Sequence, residues 1–445
     1  MPAAAPTTHP GPPPAGLAHS DLLRFAAVGS VDDGKSTLIG RLLFDTRQLF
    51  DDQVDALAAA AERRGLGEID LSFVTDGLRA ERSQGITIDV AYRYAATPRR
   101  KFVIADCPGH LQYTRNMATG ASTADLALVV VDASRGLSEQ TRRHICIAAL
   151  LGVTQIVVAA NKMDLVGWEY EPFERLSEEL SDLAQRLGIQ SSWVVPVSAL
   201  HGDNVVGSSK NAPWYVGPTI LELLESLPAG EWARVHGSHR GSAARLPVQW
   251  VLRDPRGGRS YAGMVNGGPF RKGDRVVVLP AGLETAIQSI DTFDGPIDVA
   301  PVGKSVSLEL TDHIDVSRGD LISSLDDPAD VTNLIDATLC WFRDVPLRPG
   351  ERLRIKHTTR LTPAVVETVS HRFDVNTLEL RPVDHLSNNE IGTVSVRTAD
   401  PLAVDSYRHD RITGSFILID DATNSTVAAG MIGTPGIDRS QLNPN

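Results

Sequence analysis

The stretch Gly29-Ser30-Val31-Asp32-Asp33-Gly34-Lys35-Ser36-Thr37 carries the spacing G-x-x-x-x-G-K-[ST], and those residue types at those intervals suit one task, holding a chain of phosphates. The two glycines let the backbone turn tightly enough for successive N–H groups to converge on phosphate oxygens, and a following helix adds its positive dipole end. Lys35 can then reach the β- and γ-phosphates, and the Ser36 hydroxyl can ligate Mg²⁺. From average residue usage the pattern arises by chance on the order of once in tens of thousands of positions. An ordinary glycine turn explains it poorly.

Two further groups of residues complete a nucleotide chemistry. Asp106-Cys107-Pro108-Gly109-His110 follows an apolar run. An Asp at the carboxyl end of a buried strand can hold a metal through water, Gly109 can offer a backbone N–H to the γ-phosphate, and His110 stands where a side chain that orients water is wanted. Asn161-Lys162-Met163-Asp164 follows a second apolar run. A carboxylate at Asp164 can accept two hydrogen bonds from the N1–H and 2-amino group of guanine, which adenine cannot supply. Asn161 can bond the ring edge, and the Lys162 stem can lie along the base. Ser198-Ala199-Leu200 forms a loop suited to touching guanine O6 through backbone N–H. Between the first two groups, residues 76–89 are polar and contain Thr87. Alone this is a solvated loop; beside a nucleotide, Thr87 could close over Mg²⁺ and the γ-phosphate and release after hydrolysis.

These residues need a scaffold, and the hydrophobic pattern supplies one. Apolar runs at 22–28, 90–94, 101–105, 124–131, 155–160 and 192–197 alternate with helical stretches at 37–44, 54–64, 139–150 and 219–227. Continuous β-branched runs alternating with helices predict an α/β domain, a mostly parallel sheet with helices on both faces. Beyond Leu246 the texture changes to short alternating strands between Gly, Pro and Asp turns, which predicts two antiparallel β-barrels. The expected divisions are a disordered tail at 1–20, a GTP-binding domain at 21–240, barrels at 241–328 and 329–435, and a C-terminal tail at 436–445. His236 and His239 fall at the expected domain boundary with no third ligand near them in sequence, so they read as linker and not as a metal site.

The whole chain sets limits on function. Its 445 residues suffice for about three domains, and the formal net charge of −12 opposes a protein that chiefly grips nucleic acid. Cys107, Cys146 and Cys340 are odd in number and show no C-x-x-C, which suggests reduced thiols in a cytosol. The first twenty residues lack the charged and apolar regions of a signal peptide, and no apolar run approaches the ~18 residues of a membrane span. A cytoplasmic protein is expected.

Gly29–Ser36, Thr87, Asp106–His110, Asn161–Asp164 and Ser198–Leu200, in that order and followed by two barrels, resemble the translation-factor class of GTPases typified by elongation factor Tu. Residues 81–94, 112–126 and 314–321 resemble more closely the GTPase subunit family of bacterial ATP sulfurylase, over residues 20 to about 433. The resemblance implies that GTP hydrolysis on this chain, with Mg²⁺, drives a catalytic small subunit that makes adenosine 5′-phosphosulfate and pyrophosphate from ATP and sulfate. It implies a heterodimer or higher hetero-oligomer, with neither nucleic acid nor membrane as partner. By the same resemblance Asp32 matches an aspartate of the family's phosphate loop, Thr87 should ligate Mg²⁺ and His110 should orient the attacking water. Some relatives carry a fused adenylylsulfate kinase; this sequence has no second phosphate loop, and that activity is not expected. Cys107 and Leu111 depart from the family's usual threonine and glutamate, which raises the question of thiol sensitivity and of how this switch addresses its partner. Arg79, Arg82 and Arg115 are candidates for a transition-state arginine, or are solvated switch charges. Two alternatives stand beside this reading: a factor that delivers aminoacyl-tRNA, and a module that binds GTP without hydrolysing it.

Overall fold

The structure is a computed structural model, and it describes residues 22–49, 71–74, 90–110, 114–229, 243–253 and 258–433. The expected helix at 54–64, Thr87 with its loop, Leu111, the two linker histidines and both tails lie outside the described residues. The chain divides into two units, 1–233 and 234–445.

The first unit is built on strand β1, Leu22–Gly29, whose alternate side chains Leu23, Phe25 and Ala27 are buried in one core with Leu38, Ile39, Leu42 and Leu43. Ala26 and Val28 are buried on the opposite face, so the strand is covered on both sides and needs no polar alternation. Helix α1 spans Lys35–Asp45, followed by β2 Ala91–Ala96, β3 Lys101–Asp106, α2 Thr114–Ser122, β4 Leu126–Asp132 and α3 Glu139–Leu150. Then come β5 Gln155–Asn161, α4 Tyr170–Arg186, β6 Ser191–Pro196 and α5 Ile220–Ser226. The sheet order is β2-β3-β1-β4-β5-β6. Only β2 runs antiparallel, against β3; β1 is parallel to both β3 and β4, β4 to β5 and β5 to β6. After β1 the chain builds one side of the sheet, then crosses to the other at β4. Such a switch opens a crevice at the carboxyl ends of the strands, and Gly29, Asp106, Asp132 and Asn161 end four of them.

Helix α5 is held at its start by a capping box, Thr219 Oγ1 accepting from Glu222 N at 3.2 Å while Glu222 Oε2 accepts from Thr219 N at 2.8 Å. Helices α2 and α4 have no counterpart in the sequence reading. In α4 the signal is there: Leu176, Leu180, Leu183 and Ala184 are the buried face, at the spacing of one helical stripe. In α2, Thr114–Ser122, the buried residues Met117, Ala118 and Ala121 share one face, but two of the three are alanines and the apolar stripe is faint in sequence.

The paired strands of the second unit are antiparallel, as the turn-rich sequence predicts. An eight-stranded sheet contains β7 Arg245–Pro247, β8 Trp250–Arg253, β9 Arg259–Met264, β11 Arg275–Leu279, β12 Leu283–Thr292, β13 Gly295–Pro296, β15 Ser305–Leu310 and β16 Leu321–Ser324. Two short strands, β10 Phe270–Arg271 and β14 Val299–Ala300, pair with each other. A seven-stranded sheet follows: β17 Asp330–Trp341, β18 Arg352–His357, β19 Arg360–Phe373, β20 Leu380–Pro382, β21 Ile391–Val404, β22 Ser415–Ile419 and β23 Thr426–Ile432. Pairing of β18 with β19 closes it into a barrel, which leaves few edges to pair wrongly. Each sheet encloses its own core, one around Val276, Leu308 and Ile322 and one around Leu339, Trp341 and Ile355. Arg245 and Asp405 join the two sheets by a bidentate ion pair, both N···O distances 3.0 Å, with Arg245 only 1% exposed. Among the described residues no helix is long and apolar enough to cross a membrane.

Candidate nucleotide-binding site

The phosphate loop joins β1 to α1, and its shape comes from two left-handed residues, Asp32 at φ 66° and Gly34 at φ 91°. Backbone that alternates in this way points successive N–H groups into one concavity, with the first turn of α1, Lys35, Ser36 and Thr37, directly behind it. At Gly34 a Cβ would lie 2.3 Å from Asn161 Nδ2, so both the φ and the space demand glycine. Asp33 folds back on the loop, its Oδ2 accepting from Ser30 N at 3.1 Å. Burial pushes the Asp33 carboxyl up to about 6, against the bond from Ser30. Its side chain shapes the loop and does not face outward. Ser30 Oγ also meets Ser138 Oγ at 2.7 Å and Thr141 Oγ1 at 3.1 Å. Ser138 caps α3 by accepting from Thr141 N, so the loop is tied to the start of that helix.

Asp106, at the end of β3, is fully buried and forms an ion pair with Lys35. Its other oxygen, Oδ2, is buried with no hydrogen-bond partner among the described residues. A buried carboxylate oxygen without a donor costs free energy unless something else satisfies it. Oδ1 of the same carboxylate is paired with Lys35, the chain neighbour of Ser36, and carboxylate and hydroxyl oxygens are the kind of donor that Mg²⁺ takes. The turn that follows presses on the phosphate loop: a Cβ at Gly109 would sit 2.7 Å from Gly29 O and 3.3 Å from Val31 N. His110 is half-buried just beyond it. The structure therefore brings Gly29–Thr37 and Asp106–His110 together. Thr87 lies outside the described residues, as do Arg79 and Arg82.

At the far end of the crevice, Asn161 is buried and uses both ends of its amide on protein backbone. Its Nδ2 donates to Asp33 O at 2.8 Å, and its Oδ1 accepts from Ala199 N at 2.9 Å. In this arrangement Asn161 braces the phosphate loop against the 198–200 loop, and the second N–H of Nδ2 is the donor that the expected ring-edge contact would use. Lys162 adopts φ 63° and donates from Nζ to Asp132 Oδ2 at 2.8 Å. Burial alone would raise the Asp132 carboxyl, but hydrogen bonds from Lys162 and Ser134 overrule it and hold it below the ordinary range. Asp164 is half-buried in a short 3₁₀ turn, Met163–Val166. Ser198 and Ala199 are buried, and Leu200 is exposed.

Sequence reasoning missed Asp132, although it ends β4 as Asp106 ends β3 and the same inference applies. It also missed Arg41, for which the sequence holds no local signal. Cys107 is fully buried, and burial pushes its thiol up to about 12, the nearby Lys35 lowering it less. Cys146 and Cys340 are likewise buried and pushed up to about 12. Since the thiolate is the reactive form, the folded chain should show no thiol reacting with Ellman's reagent at pH 8, and three once unfolded. A single thiol that reacts in the folded chain, in step with loss of GTP turnover, would contradict this.

Residues 20–230 match the family described as the elongation factor Tu GTP binding domain, and residues 334–433 match the GTP-eEF1A C-terminal domain-like family. Fold and site together define a GTP-binding chain of the elongation factor Tu type, an α/β GTPase domain followed by antiparallel β domains. The chain is 49% identical over 416 residues to sulfate adenylyltransferase subunit 1 of Aeromonas hydrophila, covering 93% of this chain and 86% of that one. It is 48% identical over 415 residues to sulfate adenylyltransferase subunit 1 of Laribacter hongkongensis, covering 93% and 85%. The bifunctional enzyme CysN/CysC of Mycobacterium tuberculosis is 51% identical over 417 residues, covering 92% of this chain and 67% of that one. This chain belongs to the sulfate adenylyltransferase subunit 1 family. A solved structure of sup35 complexed with GDP is similar at 24% identity and TM-score 0.42 over 93% of this chain and 94% of that one; at that distance the likeness carries no argument.

Proposed function

We propose that this chain hydrolyses GTP and uses the free energy to drive a catalytic small subunit that forms adenosine 5′-phosphosulfate and pyrophosphate from ATP and sulfate. The phosphosulfate anhydride is so reactive that its formation is uphill, and coupling to GTP offsets this. The observation that carries the reading is the 49% identity to sulfate adenylyltransferase subunit 1 across 93% of this chain. The function belongs to sulfate assimilation in the cytoplasm, upstream of sulfide and cysteine, in a heterodimer or a larger hetero-oligomer.

Within the site, backbone N–H groups of Gly29–Gly34 cradle the phosphates, and Lys35 leaves Asp106 to meet the β- and γ-phosphates. Ser36, Thr87 and, through water, Asp106 would hold Mg²⁺. A Mg²⁺ held there would supply positive charge against the phosphates. The Gly109 N–H holds the γ-phosphate, and His110 positions the attacking water. Asp164 accepts from the N1–H and 2-amino group of guanine, the Lys162 stem covers one face, and the 198–200 loop donates to O6. Catalysis is chiefly positioning and charge stabilisation. Hydrolysis is slow in the isolated chain and rises when the partner, loaded with ATP and sulfate, fixes the switches.

GTP turnover by the full chain, alone and with the catalytic subunit from the same source, tests this. Stimulation is expected only with partner, ATP and sulfate present together, and it should vanish in His110→Ala. Stimulation by ribosomes in their place would assign the chain to translation. Turnover that survives His110→Ala unchanged would remove that residue from its role.

A further inference from the structure

Arg41 lies on α1, six residues beyond Lys35, and reaches across to a loop 158 residues away in sequence. Its Nε donates to Ala199 O at 3.2 Å, and its Nη2 donates to Leu200 O. Its third nitrogen, Nη1, sits 3.5 Å from Asp45 Oδ1 one turn along the helix. The guanidinium thus fills a forked role, two adjacent carbonyls on one side and a carboxylate on the other, which a lysine ammonium cannot reproduce. The contact is tight: at Gly202, φ 83°, a Cβ would lie 3.1 Å from Asp45 Oδ2 and 3.3 Å from Arg41 Cδ.

The consequence follows from peptide geometry. In a trans peptide the C=O of one residue and the N–H of the next point in opposite directions. A guanidinium that draws the Ala199 carbonyl toward α1 therefore turns the Leu200 N–H away from α1. The Ala199 N–H is already committed to Asn161 Oδ1 at 2.9 Å, and the His201 N–H lies 3.4 Å from Ser198 Oγ. The Leu200 N–H makes no hydrogen bond among the described residues.

We infer that Arg41 is a positioning residue for base selection: by gripping the Ala199 and Leu200 carbonyls it aims the Leu200 N–H at the 6-oxo group of a purine. The inference rests on the proposed guanine contact of the 198–200 loop and adds to it the residue that sets that loop. It also joins the two ends of the site. The helix that begins at the phosphates carries, about 9 Å along its axis at 1.5 Å per residue, the fork that sets the base loop.

The test compares equilibrium binding of GTP and of 2-aminopurine riboside 5′-triphosphate, which keeps the 2-amino group and lacks the 6-oxo acceptor together with the N1–H that Asp164 accepts. The full chain is used as wild type, Arg41→Lys and Arg41→Gln, each with its melting temperature. Wild type is expected to prefer GTP. Both variants should lose about tenfold in GTP affinity, the scale of one good hydrogen bond lost with its geometry, and under twofold for the analogue, so that the preference narrows about fivefold or more and only the part due to the N1–H at Asp164 is left. Equal losses for both nucleotides, or no loss, would overturn the role of Arg41 while leaving the guanine contact standing. A wild type with no preference for GTP over the analogue would instead overturn the contact itself, and the role of Arg41 with it.

Discussion

Replacing Lys35 by methionine should lower GTP turnover about a thousandfold or more, while the chain still folds. The side chain is buried at the first turn of α1, between the phosphate loop and Asp106, its partner in the structure. Its charge is therefore held in a water-poor crevice, where an ammonium aimed at developing phosphate charge stabilises far more than in bulk water. Loss of one oriented donor to such charge costs about 10²–10³ in rate. A donor that is also a full positive charge on the γ-phosphate should cost at least that. Methionine keeps the length and apolar stem but leaves Asp106 buried without its partner, so stability has to be measured beside activity. A Lys35→Met chain that binds and turns over GTP within tenfold of wild type would remove Lys35 from the chemistry.

The largest effect on stability is expected at Arg245→Ala, far from the nucleotide. Arg245 is 1% exposed, bonds Asp405 through two nitrogens, and Asp405 also accepts from Thr413 Oγ1 at 2.6 Å. Removing the arginine strands a buried carboxylate between two sheets, at a cost of about 3–5 kcal/mol. For a unit of this size that means a fall of about 10 °C or more in the midpoint of the β-rich transition, read by circular dichroism. Arg245→Met combined with Asp405→Leu should recover most of the loss, because it removes both charges at once. Burial alone would raise the Asp405 carboxyl, but the bonds from Arg245 and Thr413 hold it below the ordinary range. A carboxyl lowered in the folded state contributes stability above its unfolded value, about pH 4. That contribution is lost as pH falls below about 4 through the lowered folded value. The wild type should therefore show an acid-labile component of stability that Arg245→Ala lacks.

How much of this was legible in the sequence depends on how local each device is. The phosphate loop, the 106–110 turn and the 161–164 segment are runs of neighbours whose geometry is set within a few residues, so spacing alone finds them. The braces between them are not local: Asn161 reaches Asp33 across 128 positions and Arg41 reaches Ala199 across 158. No pattern of neighbours announces such pairs; only the sheet order, which folds five strand ends to one edge, creates them. The longer strands of the second unit were legible too, but the short ones, β7, β10, β13, β14 and β16, were not, and neither was strand length. β19 and β21 each run 14 residues, where the texture beyond Leu246 predicts short strands. Their register shifts between Val366 and Thr368 and again between Val369 and His371, and a bulge breaks the period of two that marks a strand in sequence.

Coupling of GTP hydrolysis to sulfate activation is tested most directly by the yield of adenosine 5′-phosphosulfate. This chain and the catalytic subunit from the same source are given ATP and sulfate, with pyrophosphate left in the mixture, and product is followed with and without GTP. Without GTP, adenosine 5′-phosphosulfate should stop at the low level set by its unfavourable equilibrium. With GTP it should rise well past that level, in step with phosphate released from GTP, and His110→Ala should return it to the low level. A yield that is the same with and without GTP would contradict the coupling, whatever the chain does with GTP by itself.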